Sequence, residues 1–373
     1  LSYFVMGRWQ ADGGIMVTAS HNPPEYNGMK VRLGDRPFFG DSLQELYARA
    51  CNPPAPVGGG ACLRRDPFPE YFEVLLSYVC LQRPLKLVLD LGNGAGALAA
   101  PKVLRDLGCD VELLFPEADG GQFRGRGPNP MKAGALVPLA ARVRDSRAEL
   151  GLAIDADGDR LAVVDAQGRE ITCDRAVIPL CRHALANGPA TFVADVRCTR
   201  SAIEYVQARG GKLEMAACGY PFILKRMAET DALLGFETTG HYFHRNPDIK
   251  FDDATFSAAL LCQVLSGTNE TIGDIVASAP TYFTADEERL ECDDSLKFHV
   301  VEELKAEYAR EFEVITIDGV RVERPEGWAL VRASNTAAEI AMRWEGKTEE
   351  IRDAIGAELK SRVASVMARV GRS

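Results

Sequence analysis

Apolar and polar positions along the chain follow the period of strands and the period of helices in turn. Short apolar runs predict strands at 14–17, 85–90, 111–115, 152–154, 190–194, 233–236 and 328–331. Helical spacing of apolar residues predicts helices at 97–107, 201–209 and 255–265. Strands that alternate with helices indicate parallel sheets with crossover helices, and the alternation recurs from one domain to the next. From about residue 282 the pattern becomes α+β, with helices predicted at 296–308 and 349–370.

One segment interrupts this pattern. Residues 52–60 read Asn-Pro-Pro-Ala-Pro-Val-Gly-Gly-Gly, a composition that neither a helix nor a central strand tolerates. We therefore predict a domain boundary between this segment and Pro67. A length of 373 residues allows two to four domains, because single cores stop growing well below that size.

Composition and charge narrow the class of protein. The chain is 46% hydrophobic and 26% charged, which is ordinary for a globular protein, and its net charge of -10 disfavours nucleic acid and anionic membranes as partners. No apolar run has the length of a membrane span, and the start has no signal-peptide pattern, so we expect a cytoplasmic protein. The ten cysteines form no C-x-x-C pair, which predicts reduced, mostly structural thiols.

The first candidate site is the segment Thr18-Ala19-Ser20-His21-Asn22-Pro23, where an apolar strand gives way to a turn. Pro23 and Pro24 cannot continue the strand, so the turn presents the hydroxyl of Ser20. A presented hydroxyl can accept a phosphoryl group when cations and a metal ion lie beside it. A surface turn with local hydrogen bonds is the alternative interpretation.

The second candidate site follows another predicted strand, where three aspartates occupy alternate positions, Asp155, Asp157 and Asp159. Carboxylates crowded into one loop are the hard oxygen ligands that magnesium prefers. A calcium loop of the EF-hand type would need Gly and Glu where the chain has Arg160 and Ala166. A haloacid-dehalogenase-type phosphatase would need Thr or Val where Asp159 stands. An acidic capping turn without a cation is the remaining alternative, and repulsion between like charges disfavours it.

A glycine-rich turn offers a rival interpretation. Gly92-Asn93-Gly94-Ala95-Gly96-Ala97 follows a predicted strand and satisfies the dinucleotide-binding pattern G-x-G-x-x-G/A. That pattern also needs an acidic residue at the end of the next strand, where the only candidate, Glu117, is poorly placed. We therefore predict a structural turn, with a nicotinamide enzyme as the alternative.

Two later loops carry groups suited to a phosphorylated sugar. Within five positions, the chain places a carboxylate, two hydroxyls and an imidazole at Glu237, Thr238, Thr239 and His241. Residues 332–336 read Arg-Ala-Ser-Asn-Thr after a predicted strand, a composition suited to a phosphate dianion. In the first loop, the alternative is that Glu237 or His241 is an ordinary surface group with its hydrogen bonds already made. In the second, the alternative is the N-cap of a helix with an arginine nearby.

Taken in chain order, the serine, acidic, sugar and phosphate loops resemble the α-D-phosphohexomutase superfamily. The resemblance is closest to its bacterial phosphomannomutase/phosphoglucomutase branch and runs from residue 1 to about residue 345, with T-A-S-H-N-P and D-x-D-G-D-R as its most diagnostic motifs. It implies an α/β fold of three related α/β domains with mixed sheets, plus a C-terminal α+β domain, around a central cleft. We place these domains at 1–66, 67–170, 171–280 and 281–373.

The resemblance also implies a role for each candidate residue. The phosphorylated residue is Ser20, and the ligands of magnesium are Ser20, Asp155, Asp157 and Asp159. The residues that face the sugar are Glu237, Thr239 and His241, and those that bind its phosphate are Arg332, Ser334, Asn335 and Thr336. Lys30 resembles a cation near the reacting oxygen, whereas His21 and Arg160 resemble neighbours of the phosphoserine. By reach and chemistry, His241 or Lys30 is the candidate for proton transfer.

The chain also departs from the family pattern. Thr239 stands where Ser is usual, Ala337-Ala338 replaces a residue and a proline, and Cys218-Gly219-Tyr220 replaces Thr-Gly-His. These departures bear on substrate preference more than on reaction type. The family usually has a further strand, an arginine segment and a helix before the serine loop. We therefore expect the first domain to be N-terminally truncated, with an exposed sheet edge, and to be the least stable.

The sequence thus predicts a phosphohexose mutase that interconverts the 6-phosphate and 1-phosphate of mannose or glucose. The expected cofactors are Mg²⁺ and a hexose 1,6-bisphosphate, which serves as intermediate and activator. The expected partner is a phosphorylated hexose, with no nucleic acid and no membrane, and the protein is expected to be a monomer. Open alternatives are a phosphoglucosamine mutase, a metal-dependent sugar phosphatase, a nicotinamide dehydrogenase and an inactive, truncated sugar-phosphate-binding protein.

Overall fold

The structure is a computed structural model that describes residues 1–22, 25–34, 36–38, 40–55, 58–334 and 337–371. Within these ranges the strands are β1 (Gly13–Val17), β2 (Met29–Leu33), β3 (Arg36–Pro37), β4 (Lys86–Asp90), β5 (Asp110–Leu114), β6 (Leu150–Ile154), β7 (Leu161–Asp165), β8 (Glu170–Ile171), β9 (Thr191–Asp195), β10 (Lys212–Ala216), β11 (Leu234–Phe236), β12 (Tyr242–His244), β13 (Phe283–Thr284), β14 (Glu288–Glu291), β15 (Glu313–Ile315), β16 (Val320–Arg324), β17 (Gly327–Ala333) and β18 (Glu339–Gly346).

The α-helices of the same ranges are α1 (Ser2–Arg8), α2 (Asp41–Cys51), α3 (Phe68–Tyr78), α4 (Ala100–Asp106), α5 (Val137–Ser146), α6 (Cys173–Ala176), α7 (Ile178–Leu185), α8 (Arg200–Gln207), α9 (Tyr220–Thr230), α10 (Ala254–Ser266), α11 (Ile272–Ala277), α12 (Lys297–Tyr308) and α13 (Glu349–Val370). A 3₁₀ turn spans Ala95–Leu98.

Most of the elements predicted from the apolar pattern are confirmed. Each predicted apolar run contains a strand, and the helices predicted at 201–209, 255–265, 296–308 and 349–370 correspond to α8, α10, α12 and α13. The single helix predicted at 97–107 is wrong. The chain instead forms the 3₁₀ turn and then the shorter helix α4, with Pro101 in its first turn. Proline has no backbone N–H to donate, so it is accommodated at a helix start but not inside a longer helix.

The chain divides into two compact units that interleave in sequence. The first unit contains residues 1–171 and 241–271, and the second contains residues 172–240 and 272–373. In the first unit, β1, β2 and β3 form an antiparallel meander. A second sheet has the order β5-β4-β6-β7-β8, in which β4 pairs in parallel with β5 and β6 while the remaining pairs are antiparallel. This sheet is mixed, as expected.

The carboxyl end of β6 carries the acidic loop, and the glycine-rich turn supports it. Ala95 donates its backbone N–H to the carbonyl oxygen of Ala156 at 2.8 Å. A Cβ atom at Gly94 would lie 2.8 Å from that same carbonyl oxygen, so the turn can approach the loop only because position 94 has no side chain. The glycines therefore have a packing role, as the sequence predicted.

In the second unit, β9, β10 and β11 pair in parallel in the order β10-β9-β11. A larger antiparallel sheet has the order β13-β18-β17-β16-β15, and β14 also pairs with β18. Helices α12 and α13 cover this sheet and bury Leu304, Tyr308 and Leu359 against apolar side chains of β16, β17 and β18. The change from parallel to antiparallel pairing confirms the predicted change of pattern after about residue 282.

The ten cysteines are free thiols in the structure, in agreement with the sequence prediction. Among the helices of the described ranges, none combines the length and the apolar character that a membrane span requires.

A buried histidine of the first unit should make its stability depend on pH. His244, at the end of β12, packs against Phe256, shares a 2.8 Å hydrogen bond with Ser257 Oγ, and is only 6% exposed. Burial lowers its pKa to about 3. The unfolded chain, with an ordinary histidine pKa of about 6.5, therefore takes up the proton first as the pH falls. The contribution of neutral His244 to the free energy of unfolding is therefore complete above pH 6.5 and is lost as the pH falls from 6.5 to 3.

We expect the wild type to lose about 2 kcal/mol more stability than a His244→Gln variant between pH 7 and pH 5. Urea unfolding of both proteins at the two pH values measures this difference. Equal losses in the two proteins would contradict the assignment.

Candidate active site

Ser20 lies in the turn after β1 in a conformation that few L-amino acids adopt, with φ of +53°. Its Oγ is 3.0 Å from His21 Nδ1 and donates to Asp157 Oδ1 at 3.4 Å. The structure therefore brings the candidate nucleophile to the acidic loop, more than a hundred residues further along the chain. Burial and the charge of Arg160 lower the pKa of His21, so its ring is neutral at pH 7.

The acidic loop gathers its three carboxylates within one ligand-sized space. Single oxygens of Asp155, Asp157 and Asp159 all lie within 4.8 Å of one another. Asp155 is fully buried, and its Oδ1 accepts the backbone N–H groups of residues 158–160 at 3.0–3.1 Å. Among the described residues, no hydrogen-bond donor reaches Asp155 Oδ2 or Asp159 Oδ1, although both atoms are buried. Arg160 Nε lies 3.7 Å from Asp155 Oδ2 and 3.9 Å from Asp159 Oδ1. Two buried carboxylate oxygens without a hydrogen bond, in a set of three carboxylates, fit a hard divalent cation such as Mg²⁺.

The charges in this loop are strongly coupled. Burial raises the pKa of Asp155 well above its usual range, and the neighbouring charges of Asp159 and Asp157 add to the effect. Burial would also raise the pKa of Asp159, but His241 and Lys30 outweigh it and hold that pKa below its usual range. Carboxylates crowded in this way favour any additional positive charge, and that preference is what a metal site requires.

Lys30 bridges two of the carboxylates from strand β2. Its Nζ donates to Asp159 Oδ2 at 2.7 Å and to Asp157 Oδ2 at 3.2 Å. Burial would lower the pKa of Lys30, but Asp159 and Asp157 outweigh it and raise that pKa above its usual value. The ammonium group therefore keeps its proton at neutral pH. This supports Lys30 as a fixed cation and argues against it as the group that transfers a proton.

His241 lies between the carboxylate of Asp252 and the guanidinium group of Arg160. Its Nδ1 is 2.7 Å from Asp252 Oδ2, and its Nε2 lies 3.0 Å from Arg160 Nε, which can donate to it only while the ring is neutral. Burial would lower its pKa, but Asp159 and Asp252 raise the pKa of His241 to about 9. Sequence analysis missed Asp252. The adjacent Asp253 accepts the backbone N–H of Phe256 and caps helix α10. One aspartate is enough to cap a helix. The second aspartate of an Asp-Asp pair before a predicted helix is therefore a candidate for another role, and this pattern could have indicated Asp252.

The second unit holds the remaining predicted residues. Glu237 is buried, and its Oε1 accepts the backbone N–H of Gly219 at 2.7 Å, while Thr239 is half-buried in the same loop. Arg332, at the end of β17, donates to Asp318 Oδ2 at 3.1 Å. The hydroxyl of the buried Ser334 accepts the backbone N–H of Ala337 at 3.1 Å. Asn335 and Thr336 lie outside the described residues.

Arg197 is a second residue that sequence analysis missed. It follows β9 and is 8% exposed, with Asp195 Oδ2 accepting from its Nη2 at 2.8 Å. Burial would lower the pKa of Arg197, but the carboxylates of Asp195 and Glu237 help to raise it above its usual value. Arg197 therefore forms a buried ion pair with Asp195, and its positive charge also acts on Glu237 of the predicted sugar loop. Asp195 and Arg197 are two charged residues directly after the strand predicted at 190–194, and this pattern could have indicated Arg197 from the sequence.

Four family models match the chain in order. The phosphoglucomutase/phosphomannomutase alpha/beta/alpha domain I matches residues 1–52, domain II residues 69–168, domain III residues 174–283, and the C-terminal domain residues 287–361.

Individual proteins of known identity are similar over nearly the whole chain. A phosphomannomutase/phosphoglucomutase of Pseudomonas aeruginosa is 34% identical over 366 residues, which cover 98% of this chain and 79% of the relative. A phosphoglucomutase of Neisseria gonorrhoeae is 35% identical, with 97% of this chain and 80% of the relative covered. The crystal structure of a phosphoglucomutase/phosphomannomutase family protein from Burkholderia thailandensis superposes with a TM-score of 0.89 at 32% identity, covering 95% of this chain and 76% of that one.

Proposed function

The chain belongs to the phosphoglucomutase/phosphomannomutase family, and we propose that it interconverts hexose 6-phosphates and hexose 1-phosphates of glucose and mannose through a phosphoserine at Ser20. The reaction is an isomerisation by phosphoryl transfer, the chemistry of the relatives in both sequence and structure. The proposal for Ser20 rests on one observation above all. Its hydroxyl lies within hydrogen-bonding distance of Asp157 of the acidic loop and of the neutral ring of His21.

In the proposed reaction, phospho-Ser20 gives its phosphoryl group to the free O1 or O6 of a bound hexose phosphate. The bond from phosphorus to Ser20 Oγ breaks, a bond from phosphorus to the sugar oxygen forms, and the proton that leaves the sugar hydroxyl ends on Ser20 Oγ, where it replaces the lost bond to phosphorus. The product is a hexose 1,6-bisphosphate, which returns its other phosphoryl group to Ser20. Mg²⁺ held by Ser20, Asp155, Asp157 and Asp159 would supply positive charge against the negative charge that spreads over the transferring group.

The residues around Ser20 have complementary parts in this reaction. The ammonium group of Lys30, held by Asp157 and Asp159, stabilises charge on the reacting oxygens. Arg160 is held in place by His241 and lies 3.7 Å from Asp155, so it adds a second fixed cation beside the phosphoserine. His241 is our candidate for proton transfer, because its pKa of about 9 lets it hold a proton at neutral pH, while Arg160 Nε beside its Nε2 favours release of that proton.

We assign the sugar and the phosphate to different residues. Glu237, Thr239 and His241 would hydrogen-bond the sugar hydroxyls, since a carboxylate and small donors can serve two orientations of the ring. Arg332 and Ser334, with Asn335 and Thr336, would bind the phosphate that is not being transferred. The domain boundaries at 66, 170 and 280, the cytoplasmic location and the monomeric state stay predictions from the sequence.

The proposed function is tested by offering the 1-phosphates of glucose, mannose and glucosamine with glucose 1,6-bisphosphate as activator. We expect isomerisation of the glucose and mannose compounds without release of inorganic phosphate. Release of phosphate without isomerisation would identify a phosphatase, and a clear preference for the glucosamine compound would identify a phosphoglucosamine mutase. Either result would replace the proposed function.

Variants in the same assay separate sugar from phosphate recognition. Arg332→Ala should raise the KM of every sugar phosphate by about 10- to 100-fold, because a guanidinium bound to phosphate is lost. Glu237→Gln should mainly change the ratio of kcat/KM between glucose and mannose compounds. Arg352→Ala, which removes the same charge from the surface of α13, should leave the kinetics unchanged. Identical profiles for Arg332→Ala and Glu237→Gln across the panel would contradict this division.

A further inference from the structure

Thr18, two residues before Ser20, carries a hydroxyl that joins the serine turn to the acidic loop. It accepts the backbone N–H of Ser20 at 2.8 Å and donates to Asp157 Oδ2 at 3.0 Å. Both distances are those of well-formed hydrogen bonds. We propose that Thr18 is a positioning residue for phosphoryl transfer, and that its hydroxyl sets the conformation of Ser20 and the orientation of the Asp157 carboxylate at the same time. This inference rests on the proposed function, in which Ser20 carries the phosphoryl group.

The backbone of Ser20 needs such a partner. Its φ of +53° lies in the left-handed region, where a residue with a Cβ atom is strained unless neighbouring groups hold it. A hydrogen bond from the N–H of residue i+2 to a Thr hydroxyl at residue i is a local interaction that stabilises turns of this kind. The Thr18 hydroxyl therefore favours the conformation that presents Ser20 Oγ to Asp157.

The hydroxyl of Thr18 also determines which of the two Asp157 oxygens faces Ser20. Thr18 and Lys30 both donate to Oδ2, at 3.0 and 3.2 Å, whereas Ser20 Oγ lies 3.4 Å from Oδ1. With Oδ2 occupied by two donors, Oδ1 is the oxygen that faces the nucleophile. Donation runs in one direction, from Ser20 N–H to the Thr18 hydroxyl and from that hydroxyl to Asp157, an arrangement in which each bond strengthens the next.

Thr18 is itself held rigidly. Its backbone N–H donates to the carbonyl oxygen of Gly28 at 3.0 Å, which extends the pairing of β1 and β2. A Cβ atom at Gly28 would lie 2.7 Å from the carbonyl oxygen of Thr18, so a side chain there would push the two segments apart. Threonine is also branched at Cβ, which restricts rotation about χ1 and fixes the direction of the hydroxyl.

The test compares Thr18→Val, which keeps the shape and loses the hydroxyl, with Thr18→Ser, which keeps the hydroxyl. We expect kcat for glucose 1-phosphate to fall about 10- to 100-fold in Thr18→Val, with KM within about 2-fold of the wild type, since the hydroxyl of Thr18 bonds to Ser20 and Asp157, which we place in phosphoryl transfer and not in binding of the substrate. Thr18→Ser should keep kcat within about 3-fold. Thr230→Val, which removes a hydroxyl bonded to the Arg226 carbonyl oxygen in helix α9, should behave as the wild type.

A second measurement does not depend on activity. The backbone amide of Ser20 should exchange with deuterium about 10-fold faster in Thr18→Val than in Thr18→Ser, because only the serine variant offers an acceptor. Wild-type turnover in Thr18→Val, equal losses of kcat in both Thr18 variants, or equal exchange of the Ser20 amide in both would overturn the proposal. A wild-type protein that neither isomerises hexose phosphates nor accepts a phosphoryl group would overturn the proposed function instead, and the exchange comparison would still decide whether Thr18 holds Ser20.

Discussion

Replacing Ser20 with alanine should lower mutase turnover by a factor on the order of 10⁴, because the variant has no oxygen to carry the phosphoryl group between the two sugar positions. The fold should be unaffected, since the Ser20 side chain is only half-buried and its loss leaves Lys30 and Thr18 to hold Asp157. Wild-type protein incubated with glucose 1,6-bisphosphate should gain the mass of one phosphoryl group on the peptide that contains Ser20. The Ser20→Ala variant should gain none.

Ser77→Ala is the matched control for this experiment. The Ser77 hydroxyl donates to the Val74 carbonyl oxygen within helix α3, so its removal makes the same chemical change away from the acidic loop. This variant should turn over and incorporate phosphate as the wild type does. An active Ser20→Ala variant, together with a wild type that carries no phosphoserine under any treatment, would rule out the covalent mechanism.

Replacing Asp157 with alanine should lower turnover by a factor on the order of 10³, because two of three carboxylates remain for a divalent cation and Ser20 loses one of its two hydrogen-bond partners. The wild type should lose activity in excess chelator and regain it on addition of Mg²⁺. The Asp157→Ala variant should also need a higher Mg²⁺ concentration to bind the metal, which direct titration with Mg²⁺ or Mn²⁺ measures without reference to catalysis.

Asp106→Ala makes the same change in charge at the surface, where Asp106 pairs with Lys102 on helix α4. We expect this variant to keep the activity and the metal affinity of the wild type. Full activity of the wild-type protein in excess chelator would show that the three carboxylates serve a purpose other than holding a catalytic metal ion.

The parts of the site that sequence reasoning identified are those whose chemistry is local in the chain. Asp155, Asp157 and Asp159 are spaced so that one loop must crowd them, and Ser20 stands where a strand has to end. The partner of Asp252 is supplied by the tertiary fold. So is the carboxylate of Glu237 that acts on Arg197, whereas the direct partner of Arg197 is Asp195, two positions earlier in the chain. The contact of Asp252 with His241 spans 11 positions, and His241 in turn meets Arg160 across 81 positions. No periodicity in a single sequence encodes such contacts.

The fold, too, was predictable where it depends on residues close together in the chain, and not where it depends on tertiary structure. Strands were predictable because their apolar runs are short and bounded by turn residues. The apolar spacing at 97–107 does not produce a single helix, because Pro101 is accommodated only in the first turn of α4 and the chain before it forms a 3₁₀ turn. The antiparallel pairing of β6 with β7 and of β7 with β8 was not visible from the alternation of strands and helices, because that alternation does not specify strand direction at the edge of a sheet.

The interleaving of the two units has a consequence for synthesis of the chain on the ribosome. Residues 1–171 contain Ser20 and the acidic loop, but His241, Asp252 and helix α10 belong to the segment 241–271 of the same unit. At ordinary translation rates, residues 172–271 take about 5 to 20 s to emerge. During that interval the nascent chain exposes the surface of α4, β6 and β7 that α10 later contacts. Translation pauses between residues 171 and 271 should therefore lengthen the period in which this surface is open to chaperones and to misassembly.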